Sequence, residues 1–446
     1  MQKKLLAAAV GTALGALAAP AAMAQNATVN VYGQLYGEFA TVNNGAKSAT
    51  EPYQKYEHWQ NPNSYLGFRG EEKLGGGMSA WFQCEITMDY RGTGNSAITN
   101  AQSGGTFCTR NSAIGLKNAY TNTFYGNWDT PFKRAAGDSS AIGANGTGVF
   151  GVSHILFGVA STNGISPPAG NVNIPTISAS TGALTNTTLQ NNLGPGAWSR
   201  RQNNLLTVET NNIAGFQLMG ATTLGNYATG ATLGVLRPRV YSVGATYQNY
   251  GLRLGAAYER HKNFYAATSP ACPVGILGGT FFAPTTTTTT GCHGSDENAY
   301  SLAAAYTWRT LKVGGLYTKQ NAKVSAATGA TSSVSAWTLG ADWMFYGPHG
   351  VRMNYARAND MQGTPGAAVA TRPVVACAVP ATCGSNGAAM WQIRYVYAFS
   401  KRTEGVLGYS KTNNKPFGTY ETGGASTTQF GGQNSHAFAM AIKHAF

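Results

Sequence analysis

After its first two dozen residues the chain has no stretch approaching the ~18 to 20 consecutive apolar residues that a membrane-spanning helix needs. Charge is scarce as well: Asp, Glu, Lys and Arg make up only 11% of the 446 residues, and just 17 residues are acidic. Acids this sparse and scattered give a divalent cation no cluster to bind, and no metal or other cofactor is expected. The 7 histidines are His58, His154, His261, His293, His349, His436 and His444. Most fall in loops, at turns or on the terminal strand, without a nucleophile motif nearby, so no catalytic site is expected. Despite a formal net charge of +14 there is no basic run and no nucleic-acid motif, so nucleic acid is not an expected partner. Arginines spaced out as Arg69, Arg110, Arg253, Arg352 and Arg394 fit a lumen that attracts anions.

What is present begins with an export signal. Lys3 and Lys4 precede the apolar, small-residue segment Leu5–Ala19, and Ala22-Met23-Ala24 is an A-x-A cleavage site. Residues 1–24 are therefore expected to be a signal peptide, and residues 25–446 the mature domain. The six cysteines suit an oxidising compartment and match no zinc spacing. Fifteen connectivities are possible. The sequence-local choice pairs Cys84 with Cys108, Cys272 with Cys292 and Cys377 with Cys383, although Cys84 falls in mid-strand.

Alternation with period two runs along the mature chain. In the closing segment Phe438, Met440, Ile442 and Phe446 share one face, and Ala437, Ala439, Ala441 and Lys443 the other. Similar faces recur at Tyr300/Leu302/Ala304/Tyr306, Leu311/Val313/Gly315/Tyr317, Trp337/Leu339/Ala341/Trp343/Phe345 and Val351/Met353/Tyr355. Aromatic residues gather near the ends of these apolar faces, where interfacial girdles belong. A mean hydropathy of −0.18 hides such a barrel, because lipid-facing and lumen-facing residues cancel. Sixteen strands are expected, beginning near residues 28, 63, 78, 109, 122, 201, 215, 240, 252, 299, 311, 335, 351, 390, 403 and 436. Long polar loops are expected at 95–106, 268–297, 322–334, 363–388 and 413–434, with the Thr285–Thr290 run as a loop tip. The fold class is all-β: an antiparallel transmembrane barrel with short periplasmic turns and long extracellular loops.

Several segments in order resemble one family. Gly67-Phe68-Arg69-Gly70-Glu71-Glu72-Lys73-Leu74-Gly75-Gly76-Gly77-Met78 resembles the G-x-[KR]-G-x-E-x-L-G-x-G-[LM] hairpin of the general porins of β-proteobacteria. Arg110-Asn111-Ser112-Ala113-Ile114-Gly115-Leu116 is similar to their fourth strand, and Arg201-Gln202-Asn203-Asn204 to the R-x-N-N opening the sixth. Tyr397-Ala398-Phe399-Ser400-Lys401-Arg402-Thr403 resembles their Y-x-[LF]-S-K-R-T turn, and Lys443-His444-Ala445-Phe446 their ending.

The resemblance implies a homotrimeric outer-membrane channel for passive diffusion of small hydrophilic solutes and ions; the excess of scattered basic residues adds the expectation of a modest anion preference. It implies a third loop folded into the lumen, opening after Pro131-Phe132 and carrying Lys133, Arg134 and Asp138, opposite the wall cations Arg110 and Arg201, with Arg200 beside them. It also implies that Phe446 belongs to the signal read by the outer-membrane assembly machinery. Outer-membrane lipid and lipopolysaccharide are the expected surroundings. By parity Tyr32, Tyr36, Glu38, Tyr65, Arg69 and Arg394 face the lumen. The chain departs from the family pattern at Tyr65, where many members carry arginine, and in the length of the segment 132–199. Strict alternation from Ile114 and Leu116 turns Arg110 outward unless a bulge intervenes. The other readings are a channel specific for anionic or aromatic solutes and a surface adhesin or antigen.

Overall fold

The computed structural model describes residues 28–45, 55–88, 90, 107–137, 147–157, 171–177, 184–190, 198–199, 201–224, 239–266, 294–323, 331–360, 362–363, 385–416, 418, 420, 422 and 432–446. The signal segment, Arg200, Asp138, Thr285–Thr290 and the cysteines Cys272, Cys292, Cys377 and Cys383 lie outside the described residues.

The strands in chain order are β1 (Thr28–Asn43), β2 (Lys55–Gln60), β3 (Tyr65–Gly75), β4 (Met78–Thr87), β5 (Ser112–Lys117), β6 (Thr121–Asp129), β7 (Asn171–Ile177), β8 (Leu184–Gln190), β9 (Arg201–Thr210) and β10 (Phe216–Thr223). They continue as β11 (Arg239–Asn249), β12 (Leu252–Ala266), β13 (Gly294–Trp308), β14 (Leu311–Lys323), β15 (Thr331–Tyr346), β16 (His349–Ala358), β17 (Gln362–Gly363), β18 (Ala388–Ala398), β19 (Thr403–Asn414) and β20 (Ser435–Ala445). The hairpin β7–β8 stands apart from the wall.

All wall pairings are antiparallel, and β20 returns to β1 over Gln34–Asn43 against His436–Ala445. β2 and β3 both pair with β1, in registers one residue apart, so together they form one interrupted wall strand. β16 and β17 share β15 in the same way. The result is a closed sixteen-strand barrel. The segment Lys55–Gln60 was not among the expected strands. Its pairing with Glu38–Asn43 keeps the far half of β1 from ending as an open edge.

One rim carries the short turns, including Gly75–Gly77, Tyr250–Gly251 and Gly347–Pro348. The two-residue turn Tyr250–Gly251 has φ of +47° and +78°, the primed geometry that matches the right-handed twist of its flanking strands. At the seam on this rim, Gly33 and Phe446 exchange backbone hydrogen bonds of 3.1 and 3.0 Å. A Cβ on Gly33 would lie 2.5 Å from Phe446 Cζ, so the terminal ring occupies the space the glycine leaves.

Alternation sorts the wall into two surfaces. On β20, Phe438, Met440 and Ile442 are 52–57% exposed on the outside, whereas Ala437 and Ala439 are buried inside. The interior owes its burial to the chain between β6 and β9. A helix at Pro131–Gly137, a 3-10 turn at Gly148–Phe150, a helix at Ser153–Phe157 and the ring of Trp198 all lie within the lumen.

Ile155, Leu156, Phe157, Phe132 and Trp198 pack on a wall of small side chains that includes Ala336, Ala356 and Ala358. Val149 and Phe150 pack on Ala40, Val42, Val396, Val406, Ala437 and Ala439. Small wall residues make room for this segment, and each buried Leu, Ile or Phe contributes roughly 1.5–3 kcal/mol to its docking. Phe150→Ala and Leu156→Ala are each expected to weaken that docking by about 2–5 kcal/mol. Limited proteolysis in detergent should then cut between residues 130 and 200, while the heat stability of the closed barrel stays near that of the unaltered protein.

Candidate functional site

β3, β4, β5, β6 and β9 carry the inward-facing charges on the side of the lumen that the infolded segment leaves open. Tyr65, Arg69, Gln83 and Glu85 share the inner face through the β3–β4 register. Tyr32 joins them from β1 opposite Gly67.

Arg110 reaches this surface by a local break in the wall. The β4–β5 register holds to Gln83–Ala113. Arg110 N–H then donates to Glu85 O at 2.9 Å, and Glu85 N–H donates to Ser112 Oγ at 3.0 Å. One extra residue on the β5 side forms a bulge that turns Arg110 inward. Just before it, Cys108 (φ +60°) is bonded to Cys84, which shares the outer face with Phe68. Phe107 stacks on Phe68 at 6.3 Å. The pair involving the mid-strand cysteine is therefore a disulfide that fastens the β4–β5 connection to the outside of the barrel.

The Arg110 guanidinium donates to Asn63 Oδ1 at 2.9 Å and lies over the Tyr65 ring at 4.9 Å. Its Nε is 3.7 Å from Glu85 Oε2. Tyr32 donates to Glu85 Oε1 at 2.9 Å, and Arg69 lies over the Tyr32 ring at 5.0 Å. Arg201 Nε donates to Asn111 Oδ1 at 2.9 Å and lies 3.4 Å from Asp129 Oδ1. Lys133 donates to the same oxygen at 2.6 Å, and Asn111 to Oδ2 at 3.0 Å. Arg134 is ion-paired with Glu209.

Arginine suits a wall of this kind because its weakly hydrated, permanently charged plane stacks on tyrosine and still attracts anions. Loosely held cations concentrate anions without trapping them, as conduction requires.

Tyr36, Glu38 and Arg394 also point inward, but the 3-10 turn covers them. Glu38 is fully buried and accepts from Tyr36 Oη at 2.9 Å, from Val149 N–H at 2.9 Å and from Gln60 Nε2. Gln392 Nε2 donates to Phe150 O at 2.6 Å, and Arg394 lies over the Phe150 ring at 5.5 Å. These residues hold the infolded segment against the wall and do not line the open passage.

Glu85, Asp129 and Glu209, absent from the expected set, are the acids that organise the cations. Among the described residues of the infolded segment there is no acid at all. The counter-charges sit on the wall strands instead. Parity could have found Glu85, since Gln83 and Glu85 alternate with the outward Phe82, Cys84 and Ile86.

A closed antiparallel barrel with an apolar outer surface, a charged inner surface and a segment folded into its lumen defines a pore-forming membrane barrel. The sequence pattern of Gram-negative porins matches residues 7–416, and the chain belongs to that family: it is an outer-membrane porin. No curated protein matches it by sequence. Among solved structures it is similar to an anion-selective porin from Comamonas acidovorans, with TM-score 0.60 at 18% identity over 94% of this chain and 100% of that one. It is also similar to the trimer form of OmpT from Vibrio cholerae, with TM-score 0.54 at 10% identity over 95% and 100%. OmpF of Salmonella typhi gives TM-score 0.53 at 14% identity over 95% and 100%.

Asp129 binds Lys133 of the infolded helix and lies beside Arg201 of the wall, so Asp129→Asn leaves two cations facing each other. The expected outcome is a helix docked less firmly by about 1–3 kcal/mol. Thermal unfolding of the purified protein, with Lys133→Met/Asp129→Asn as the rescuing double variant, checks it.

Proposed function

We propose that this porin is a homotrimeric diffusion channel for small hydrophilic solutes with a modest preference for anions, and that Arg69, Arg110 and Arg201 set the preference. The observation that carries this reading is the asymmetry of the lumen. The infolded segment packs on the inner faces of β11 to β16, of β18 to β20 and of the far half of β1, while the three guanidinium groups stand on the side it leaves open. Lys133 and Arg134 add positive charge to the edge of the passage, each held by a wall carboxylate. Asp138 and Arg200 are proposed to extend the same constriction. The anion selectivity of the Comamonas porin and the trimer form of the Vibrio protein support the reading. It assigns the chain no catalysis.

Maturation at Gln25, assembly by the outer-membrane machinery through Phe446, and an environment of outer-membrane lipid and lipopolysaccharide belong to the same proposal. Phe446 fills the outer face above Gly33 at the seam, away from the lumen. Deleting it is expected to lower the yield of assembled oligomer on semi-native gels, while the conductance of the channels that do assemble stays the same.

Planar bilayers test the channel itself. Large, salt-dependent conductance steps are expected, with a reversal potential in a potassium chloride gradient that favours chloride. One charge near water is worth about 1 kcal/mol at contact distances. Arg110→Ala and Arg201→Ala should therefore each lower the chloride-to-potassium permeability ratio by up to about fivefold. Unchanged ratios in both variants would remove these arginines from the selectivity of the pore.

A further inference from the structure

The open side of the lumen carries a group of rings that ion conduction does not use. Trp81 shares the inner face of β4 with Gln83, and its partners across the register are Glu71 on β3 and Gly115 on β5. Gly115 in turn pairs with Phe124 on β6. A Cβ on Gly115 would lie 2.5 Å from Trp81 Nε1 and 2.7 Å from Phe124 Cβ, so the two side chains close over the bare strand between them. Trp128 completes the group. The rings meet edge to face, Trp81 on Phe124 at 5.3 Å, Phe124 on Trp128 at 5.1 Å and Trp81 on Trp128 at 5.8 Å.

Phe124 is buried and forms the base, whereas both indoles stay partly exposed. Neither indole belongs to the apolar packing beneath the infolded segment. The inward-facing Leu205, Leu316, Met390 and Val396, by contrast, are all buried. The single donor of Trp81 is already used: Nε1 donates to Asn122 Oδ1 at 2.7 Å, and Asn122 Nδ2 donates to Glu209 Oε1 at 3.0 Å. Glu209 is ion-paired with Arg134 of the infolded helix. This chain of contacts fixes the indole plane and leaves ring carbon toward the passage.

The rings lie on the short-turn side of the wall cations. Trp81 is one inward-facing step, about 7 Å, nearer that rim than Gln83, which pairs with Arg69. Trp128 directly precedes Asp129, whose Oδ1 lies 3.4 Å from Arg201 Nε. The apolar surface therefore runs up to the foot of the cation cluster. Among the described residues Arg201 is hydrogen-bonded through Nε alone, to Asn111. Its other nitrogens supply the N–H groups with which a guanidinium grips a carboxylate.

An aromatic surface that ends at a cation suits a solute with a ring and an anionic group. We infer that Trp81, Trp128 and Arg201 form a transient binding site for aromatic monocarboxylates, the ring against the two indoles and the carboxylate on the guanidinium. Ring hydrogens are drawn to the negative face of an indole, so a flat aromatic is favoured over a saturated ring of the same size. Chloride and acetate use the cation alone. Contact this limited, in a water-filled passage, lets the solute dwell and move on, as conduction requires. The inference rests on the anion-preferring reading of the pore and adds an aromatic preference to it.

The test uses the assembled channel in planar bilayers, with chloride current measured at constant potassium chloride as each solute is added. The probes are benzoate, cyclohexanecarboxylate, acetate and benzyl alcohol. Benzoate should halve the current at millimolar concentration, and cyclohexanecarboxylate should need about fivefold more. Acetate should need more again, and benzyl alcohol should leave the current unchanged. Trp81→Leu and Trp128→Leu should each raise the half-effective benzoate concentration about fivefold and leave that of acetate where it was. Arg201→Gln should raise both. If Trp81→Leu does not assemble, Trp128→Leu carries the same comparison, since its indole makes only ring contacts with described residues. Single-channel steps report that each variant has folded.

The reversal potential in a potassium chloride gradient, read on the same membranes, separates the two readings. Equal half-effective concentrations for benzoate and cyclohexanecarboxylate, with chloride still preferred, would overturn the aromatic site and leave the anion preference standing. An unchanged benzoate response in both tryptophan variants would overturn it as well, returning the three rings to packing within the wall. No chloride preference, with benzoate acting no better than benzyl alcohol, would overturn both readings together.

Discussion

Inside a bilayer no water is available to a peptide N–H or C=O, so every backbone group in the hydrocarbon must find its partner within the protein. The β1–β20 seam is where that requirement is met last. Ten registered residue pairs and the two hydrogen bonds between Gly33 and Phe446 turn an open sheet, which would have two unpaired edges, into a wall without any. The rest follows from closure. Once the wall is continuous, alternation must sort side chains into one set that meets lipid and another that meets the interior. A one-residue slip would exchange the two sets all round the barrel.

Closure alone would leave a wide, empty cylinder. Alanines along β13 to β20 keep the inner wall low on one side, and the segment between β6 and β9 occupies the room they leave. Its anchors are of two kinds. Apolar side chains fill the recesses, and a few polar contacts fix its position along the wall: Glu38 to Val149, Gln392 to Phe150, Gln320 to Leu156. A glycine with φ of +62° at Gly148 brings the backbone against the Glu38 carboxylate, where any Cβ would collide with it. The open half of the lumen is consequently the half that bears Arg69, Arg110 and Arg201. Function comes from what the infolded segment does not cover.

Much of this was legible in the chain. The alternation Phe438/Met440/Ile442 against Ala437/Ala439/Ala441 needs only strand geometry to be read, and so does the outward set on β13 to β16. Strand ends were less legible, since β13 and β15 begin about four to five residues before the hydrophobic pattern does. Polar ends of strands at a rim carry no periodic signal, yet their backbones still pair. Arg110 illustrates the same gap at one residue. Its type and place in a motif were evident, but the side it faces depends on a bulge that arises where β5 meets β4.

The sequence by itself determined the class of wall, because period-two alternation and short turns are local properties that each strand expresses alone. It also determined which residue types were available for an electropositive lumen. Only the tertiary structure decided which of them line the passage. Tyr36, Glu38 and Arg394 have the same inward parity as Tyr32, Tyr65 and Arg69, yet the first three lie under the infolded segment and the others do not. Parity states the side of a sheet; exposure on that side depends on contacts made by residues more than a hundred positions away.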